Sequence, residues 1–284
     1  MVKAIGEDGR IHTTFQNLVT ATGRLSSTEP NLQNIPVRTD LGAEIRKMFI
    51  PKPGHVLVDA DYSQIELRVL AHIADDTAMC TAFREGMDIH TVTASQVFNV
   101  PAENVTALQR RHAKAVNFGI VYGISEFSLS EDIGVSRYEA KAYIDSYLAN
   151  YKGVKTYMKQ VVEDARQIGY TQTLYGRRRS IPELKSSNFN IRQGAERIAL
   201  NTPIQGTAAD IIKLAMLRVY EALKKDFPEA KLLLQVHDEL IVECPEELAS
   251  SIAQRISYEM EQVAQLKVPL LAEAKWGNSW YEAK

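Results

Sequence analysis

Two acidic residues, Asp61 and Asp238, lie at positions in the sequence that would suit ligands for metal-assisted phosphoryl transfer. Asp61 ends an apolar segment, and Asp238 lies in a short polar segment between two apolar ones. Magnesium usually binds one or two protein carboxylates together with substrate phosphates. Two-metal phosphoryl transfer needs carboxylates that bridge ions about 3.5–4 Å apart. Spacing alone leaves open that both are ordinary turn acids, and Asp59 would share a strand face with Asp61.

A second chemical pattern lies in RRHAKAVNFGIVYG, residues 110–123, where cations and aromatic residues recur every four positions: Arg110, Lys114, Phe118 and Tyr122. On a helix these residues form one stripe about 18 Å long. The cations would meet phosphates, and the aromatic rings would meet sugar and base. The alternative is an amphipathic helix with core aromatics and solvated cations.

Two glycines, Gly119 and Gly123, favour the nucleotide-binding interpretation of this helix. Each glycine costs about 1 kcal/mol relative to alanine inside a helix. A base that approaches the backbone closely would explain why both are present.

The predicted elements mix strands and helices without regular alternation, which indicates the α+β class. The β-branched run 56–60 predicts a buried strand, and helical spacing starts at Tyr62, so Asp61 marks the junction. Residues 231–243, KLLLQVHDELIVE, predict a β-hairpin with the acidic pair Asp238-Glu239 at or near its turn.

The rest of the chain has mainly helical periodicity. Residues 77–165 are predicted to be mostly helical, with a capping box formed by Ser136 and Glu139. Gly169 and the GRRRS run predict a break. Helix returns at 188–225, where Pro203 and Gly206 predict interruptions, and a closing helix is expected within 245–265.

Composition sets only broad limits on function. Among 284 residues the formal net charge is −2, so a partner such as DNA would require basic residues concentrated on one surface. Cys80 and Cys244 are far apart and are expected to be reduced thiols. No signal-peptide-like or membrane-length apolar run occurs, so we expect a cytoplasmic protein without a membrane partner.

Three segments, in the order DYSQIELR (61–68), RRHAKAVNFGIVYG (110–123) and QVHDE (235–239), resemble the signature motifs of family A DNA polymerases. The resemblance extends to TATGRLSSTEPNLQNIPVR (20–38), DIHTVTA (88–94), YGRRRSIPEL (175–184) and ERIALNTPIQGTAADIIK (196–213). It covers essentially the whole chain. It implies a right-hand polymerase fold, with an antiparallel-sheet palm at 1–70 and 190–284 and a mostly helical fingers subdomain inserted at 71–189.

The resemblance implies that two Mg²⁺ ions are held by Asp61, Asp238 and the carbonyl of Tyr62. Glu239 would be a supporting acid. The primer 3′-hydroxyl would then attack the α-phosphate of a deoxynucleoside triphosphate (dNTP) in line, with release of pyrophosphate.

The resemblance also implies a nucleotide-binding set: Arg110, Lys114, His90, Phe118, Tyr122, Glu66 and Tyr62. Arg110, Lys114 and His90 would grip the triphosphate, and Lys114 would donate a proton to pyrophosphate. Phe118 would pack on the incoming sugar, and Tyr122 would stack at the template position. Glu66 would be the steric gate that excludes a ribose 2′-oxygen.

Contacts with primer-template DNA are implied for a further set: Arg24, Gln64, Arg197, Asn201, Gln205 and His237. Minor-groove acceptors are alike in every correct base pair, so donors there check pair geometry without reading sequence. For each residue alone, a solvated or capping role is an open alternative. The Arg177-Arg178-Arg179 run would contact phosphates or form a solvated loop.

The family carries a helical thumb ahead of TGRLSS and an exonuclease-like domain before that. We therefore expect a thumb-less, monomeric palm-and-fingers fragment, with weak distributive DNA binding and no nuclease activity. Its site of action would be the nucleoid, in replication or repair synthesis. The alternatives are a nucleotide- and DNA-binding fragment that is catalytically idle without its thumb, and a two-metal nuclease. The basic and aromatic stripe argues against a nuclease.

Overall fold

The computed structural model describes residues 4–36 and 40–284 of the chain. The motif segment 20–38 therefore ends in residues outside the described part. The strands are β1 Thr14–Gln16, β2 Ser26–Thr28, β3 His55–Tyr62, β4 Tyr170–Gln172, β5 Arg178–Ser180, β6 Lys231–Val236, β7 Glu239–Pro245 and β8 Ala272–Gly277. The helices are α1 Asp40–Lys47, α2 Ile65–Ala74, α3 Thr77–Arg84, α4 Ile89–Phe98, α5 Ala107–Val121, α6 Glu126–Ile133, α7 Arg137–Asn150, α8 Lys152–Ile168, α9 Phe189–Asp226 and α10 Ala249–Glu261.

Helices and antiparallel strands occur together, which confirms the α+β prediction. Every strand pair in the described residues is antiparallel. No helix in those residues is both long enough and apolar enough to cross a membrane.

The chain divides into two compact units. The first unit comprises Met1–Ser63, Ala208–Gln265 and Leu270–Lys284, and the second comprises Gln64–Thr207 and Leu266–Pro269. The first contains the largest sheet, and the second is mainly helical.

The main sheet has the strand order β6-β7-β3-β8, so β3 lies in its interior. Val56, Val58 and Ala60 on one face of β3 are buried, as is Leu57 on the other, as expected for a strand covered on both sides. Leu57 packs in a cluster that includes Ile241 and Trp280.

The face of β3 that carries Val56, Val58 and Ala60 also carries Tyr62, which is bonded to α10. The hydroxyl of Tyr62 donates a hydrogen bond to the carbonyl of Met260, 2.6 Å away. Helix α10 contacts both β3 and β8. The last residues of β3 are therefore held in register by both neighbouring strands and by a helix.

Local sequence signals place several boundaries correctly. Ser136 and Glu139 form the predicted capping box at the start of α7. Helix α8 ends before Gly169, which has φ 84°, at the predicted break. The hairpin of β6 and β7 is also confirmed, with His237 and Asp238 as its two turn residues.

Other boundaries differ from the prediction. Helix α9 continues through Pro203 and Gly206, so the predicted interruptions are wrong. Its middle is deeply buried, including Thr202, Ile204 and Thr207, and that packing offsets the local cost of the proline. Helix α2 starts at Ile65, not at Tyr62, because Gln64 has a left-handed backbone with φ 57°.

Candidate active site

The sheet of the first unit brings Asp61 and Asp238 together. Asp61 lies near the end of β3, and Asp238 lies in the β6–β7 turn. The backbone N–H of Tyr62, next to Asp61, donates to the carbonyl of Asp238 at 3.2 Å. Asp61 also pairs across the sheet with Glu239. We call Asp59, Asp61, Asp238 and Glu239 the acidic cluster.

Electrostatic repulsion is built into this cluster. Burial, followed by the negative charge of Asp238, raises the pKa of Asp61 to about 6, although Lys284 opposes the shift. Among the described residues, Asp61 Oδ1 is buried and has no hydrogen-bond partner. A carboxylate oxygen in this state is an orphaned acceptor that a cation would satisfy.

The structure distinguishes Asp61 from Asp59, which periodicity left open. The Asp59 residue is 3% exposed, whereas the side chain of Asp61 is 44% exposed. Burial raises the pKa of Asp59 to about 6, with Lys284 opposing it. Accessibility therefore favours Asp61 as the ligand, and Asp59 lies behind it in the sheet.

Two cations at the cluster, Lys284 and Arg46, were missed from the sequence. Lys284 Nζ contacts the Glu239 carboxylate and lies 3.9 Å from Asp61 Oδ2. Buried Arg46 has a terminal nitrogen 3.8 Å from Glu239 Oε1, and its guanidinium stacks 4.1 Å from the ring centre of Trp280. Glu239 thus faces two cations, which suits a supporting acid. No local sequence signal marks either contact, because both depend on long-range packing.

The acidic cluster offers a metal ion few side-chain ligands. Within residues 4–36 and 40–284, no three or more His, Cys, Asp or Glu residues are grouped to hold a metal. Magnesium needs only one or two carboxylates when phosphates and water supply the remaining oxygens. Asp61 and Asp238, with the orphaned Oδ1, meet that requirement.

The turn that carries Asp238 also carries His237, which has a left-handed backbone with φ 56°. Non-glycine residues in this region are uncommon and often mark functional sites. Partial desolvation, then the positive charge of Arg24, lowers the pKa of His237. Arg24 and His237, two predicted DNA contacts, are therefore close together within the first unit.

In the second unit, the predicted stripe occupies α5 and its C-cap: Arg110, Lys114, Phe118 and Tyr122. We call these four residues the basic-aromatic face. Arg110 and Lys114 are exposed, Phe118 is half-buried, and Tyr122 is 39% exposed. Lys114 Nζ lies 6.0 Å from the ring centre of Phe118. The opposite side of α5, including Ala113, Val116 and Ile120, is buried. The structure therefore places the two cations toward solvent, and the aromatic residues are only partly in the core.

The glycine argument for this helix is wrong. A Cβ on Gly119 would lie 2.7 Å from Ile124, and Gly123 lies beyond the helix with φ 64°. Close packing and a left-handed residue after the helix C-cap explain both glycines without an approaching base.

Arg110 is oriented by Asp88, a residue the sequence analysis did not single out. Asp88 caps α4 and accepts from Arg110 Nε at 2.5 Å and from Thr91 Oγ1 at 2.7 Å. Partial burial opposes ionisation of Asp88, but these hydrogen bonds outweigh it and lower the pKa to about 2. The bond uses Nε and leaves the outer edge of the guanidinium for another anion.

His90, in the first turn of α4, lies beside this face. Its ring centre is 5.8 Å from that of Phe118, and the residue is 2% exposed. Burial lowers the pKa of His90 to about 4; Asp88 opposes this shift, whereas Lys114 and Arg110 reinforce it. The ring is therefore neutral at pH 7. Buried Asn117 contacts it, and that residue also escaped the sequence analysis. An asparagine on the apolar side of a helix was the available signal.

Glu66 and Tyr122, the predicted gate and template-stacking residue, are hydrogen-bonded to each other. Tyr122 donates from its hydroxyl to Glu66 Oε2 at 2.9 Å. Glu66 is buried in the first turn of α2. Gln64 precedes that helix, and its carbonyl accepts from the N–H groups of Leu67 and Arg68.

The remaining predicted DNA contacts, Arg197, Asn201 and Gln205, are spaced by four residues on α9. Arg197 is exposed, and the other two are half-buried. Asn201 Oδ1 is buried without a hydrogen-bond partner among the described residues. In the nearby β4–β5 hairpin, Arg179 donates to Thr202 and Arg178 stacks on Tyr170, so both have structural contacts.

Comparison with known proteins decides the family. The model of DNA polymerase family A matches residues 1–282. The chain belongs to DNA polymerase family A. It is 54% identical to DNA polymerase I of Caldicellulosiruptor bescii over 97% of its own length and 55% identical to DNA polymerase I of Bacillus subtilis over 97%.

A solved member of the family shares the fold. The POL domain of Pol1 from M. smegmatis, in complex with DNA primer-template and dNTP, superposes with a TM-score of 0.95 at 47% identity. The match covers 99% of this chain and 50% of that one. Against the two curated relatives, this family A chain spans 32% and 31% of their length.

Proposed function

We propose that this chain is the polymerising core of a DNA-templated DNA polymerase. It adds dNTPs to a primer 3′-hydroxyl with release of pyrophosphate, in replication or repair synthesis on bacterial chromosomal DNA. The palm would comprise residues 1–70 and 190–284, and the fingers would comprise residues 71–189. One observation carries the proposal: the sheet brings Asp61 and Asp238 together and leaves an acceptor of Asp61 orphaned.

The acidic cluster would hold two Mg²⁺ ions through Asp61, Asp238 and the carbonyl of Tyr62. Bound there, the ions would lower the pKa of the primer hydroxyl and neutralise charge on the phosphates. Burial and, second, the charge of Asp238 raise the pKa of Asp61; this supports the role, because a bound cation would stabilise the ionised carboxylate. Glu239, held by Arg46 and Lys284, would fix the position of the turn.

The basic-aromatic face would bind the incoming nucleotide. Arg110, steadied by Asp88, and Lys114 would hold the triphosphate, with His90 beside them. As the 3′-oxygen bonds to the α-phosphorus, the bond to the bridging oxygen of pyrophosphate breaks. Lys114 would give that leaving group a proton. Phe118 would pack against the sugar.

Selection of deoxyribose would depend on Glu66. Its carboxylate is buried and fixed by the hydroxyl of Tyr122, so it cannot easily swing away from an added 2′-oxygen. Release of that hydrogen bond would free Tyr122 when the template base takes its place. Arg24, His237, Gln64, Arg197, Asn201 and Gln205 would contact the primer-template minor groove.

Primer extension at high enzyme concentration, low salt and saturating magnesium tests the proposal. Wild type should extend the primer, and Asp238→Ala should lose at least about 10³-fold of the rate, because a metal ligand stabilises transition-state charge. Glu229→Ala, which removes an exposed acid elsewhere, is the matched control. Circular dichroism verifies folding. Undiminished extension by Asp238→Ala would contradict the proposal, and primer-template binding without any extension would support the idle-fragment alternative.

A further inference from the structure

Four buried polar side chains of the second unit form a hydrogen-bonded row that ends at His90: Tyr151, Thr93, Asn117 and His90. The Tyr151 hydroxyl lies 3.0 Å from Thr93 Oγ1. Thr93 Oγ1 in turn lies 3.1 Å from Asn117 Nδ2 and 3.2 Å from Asn117 Oδ1. Asn117 Nδ2 lies 3.1 Å from His90 Nδ1. Each of these four residues is at most 2% exposed, so the row is shielded from water.

The side-chain amide of Asn117 determines which nitrogen of the His90 ring carries the proton. An amide nitrogen only donates, so His90 Nδ1 must be the accepting nitrogen of a neutral ring. The proton then resides on Nε2. In this orientation both hydrogens of the Asn117 amide have acceptors, namely His90 Nδ1 and Thr93 Oγ1. The reversed amide would present Oδ1 to the ring and would require a proton on Nδ1 instead.

The charged groups around His90 keep the ring neutral. Asp88 lies two residues earlier at the helix N-cap, while Lys114 and Arg110 face the ring from α5. Asp88 is already bonded to Arg110 and Thr91, so its charge is largely engaged. A protonated imidazole would add a third positive charge to a face that already has two.

Nε2 of His90 is the free end of the row. Within residues 4–36 and 40–284 it has no hydrogen-bond partner. A ring N–H without a protein partner is available to an acceptor that arrives from outside. The ring lies beside the basic-aromatic face, where phosphate oxygens are the expected acceptors.

We propose that Asn117 is a positioning residue that holds His90 as the neutral Nε2–H tautomer, so that the ring offers a phosphate oxygen of the nucleotide one directed donor and no charge. The identity of the acceptor rests on the proposed function. The tautomer itself does not, since it follows from contacts present without any ligand. Failure of one can therefore be distinguished from failure of the other.

The direct test is nitrogen NMR of the ligand-free chain labelled with ¹⁵N-histidine. The chain has six histidines, and His90→Gln identifies the His90 signals by their loss. At pH 7 we expect a pyrrole-type Nε2 and a pyridine-type Nδ1, unchanged down to about pH 5. A pyrrole-type Nδ1, or an imidazolium at pH 7, would overturn the proposal. This measurement needs no variant of Asn117 and no substrate.

Variants show whether Asn117 sets the tautomer. Asn117→Asp places a carboxylate opposite Nδ1, so Nδ1 should become protonated and the ring should be an imidazolium at pH 7. Asn117→Ala should give a mixture of tautomers and about tenfold weaker dNTP binding, as expected for one misdirected hydrogen bond. Tyr151→Phe, which alters only the far end of the row, is the control and should leave the His90 signals unchanged. An unchanged tautomer in folded Asn117→Ala would remove Asn117 from this role.

Discussion

The acidic cluster and the basic-aromatic face are assembled in opposite ways. The cluster joins residues distant in sequence through strand pairing, and it places like charges side by side. The face belongs to one helix and its C-cap, whose cations are spaced by a full turn and exposed to solvent. The first arrangement is electrostatically unfavourable until a cation arrives, whereas the second is pre-organised for an anion.

The contacts that support the two regions also differ, since they are charged at the cluster and uncharged at the face. Behind the cluster lie charged groups, with Arg46 and Lys284 against Glu239. Behind the face lies an uncharged row of Asn117, Thr93 and Tyr151. At the proposed metal site, these two cations offset part of the negative charge of the carboxylates. The proposed triphosphate site would use preorganised donors, and the row holds one of them, His90, in place.

Among the variants that follow, Lys114→Ala in the basic-aromatic face should have the largest effect. Lys114→Ala should slow single-nucleotide incorporation by about 10²–10⁴-fold, because it removes a general acid, while duplex affinity stays nearly constant. Rapid chemical quench and a primer-template binding assay measure the two quantities. Lys155→Ala, which removes an exposed lysine of α8, is the control. A collapse of duplex affinity with unchanged chemistry would show that the face binds DNA rather than nucleotide.

A pH prediction concerns the uncharged row. The pKa of His90 is about 4 in the folded chain and about 6.5 when unfolded. The unfolded chain binds the extra proton between these values, so stability from this residue is complete above pH 6.5 and is lost as pH falls toward 4. The free energy of unfolding, measured with denaturant, should fall between pH 6.5 and 4 by up to about 3 kcal/mol more in wild type than in His90→Gln. Parallel pH profiles would contradict the neutral buried ring.

Sugar selectivity tests Glu66 and its hydrogen-bond partner Tyr122. Glu66→Ala should raise ribonucleotide incorporation by about tenfold or more, because the space for a 2′-oxygen opens. Tyr122→Phe should raise it less, since the carboxylate remains but loses the hydrogen bond that fixes it. Competition between ribo- and deoxynucleoside triphosphates measures both. Unchanged selectivity in Glu66→Ala would remove Glu66 from its proposed role.

A smaller effect is expected for Lys284, which lies beside the acidic cluster. Lys284 contacts Glu239 and lies near Asp61, so it competes with a bound cation. Lys284→Gln should tighten manganese binding by about threefold to tenfold, the size expected of a partly exposed ion pair. Calorimetric titration with manganese alone measures it, with Lys267→Gln in the second unit as control. Weaker binding in Lys284→Gln would show that the lysine supports the metal site.

The sequence predicted local features of the molecule better than assembled ones. The stripe on α5, the capping box of Ser136 and the hairpin around Asp238 follow from spacing within a few turns or strands. Strand β8 and the continuity of α9 through Pro203 depend on tertiary packing, which local signals do not encode.

The candidate site divides in the same way. Residue spacing alone did not separate Asp61 from Asp59, and only the resemblance to polymerase motifs did so before the sheet showed their different exposure. The partners Asp88, Arg46 and Lys284 were missed, because each acts on a residue far away in the chain. Buried Asn117 could have been found, since it interrupts the apolar side of α5.

Manganese binding to the aspartate variants tests the central claim most directly. Electron paramagnetic resonance counts the manganese bound by wild type, Asp61→Asn and Asp238→Asn, with Lys114→Ala as the matched variant from the other region. We predict that each aspartate variant loses at least about tenfold in affinity, whereas Lys114→Ala binds as wild type does. Wild-type affinity in both aspartate variants would contradict the account.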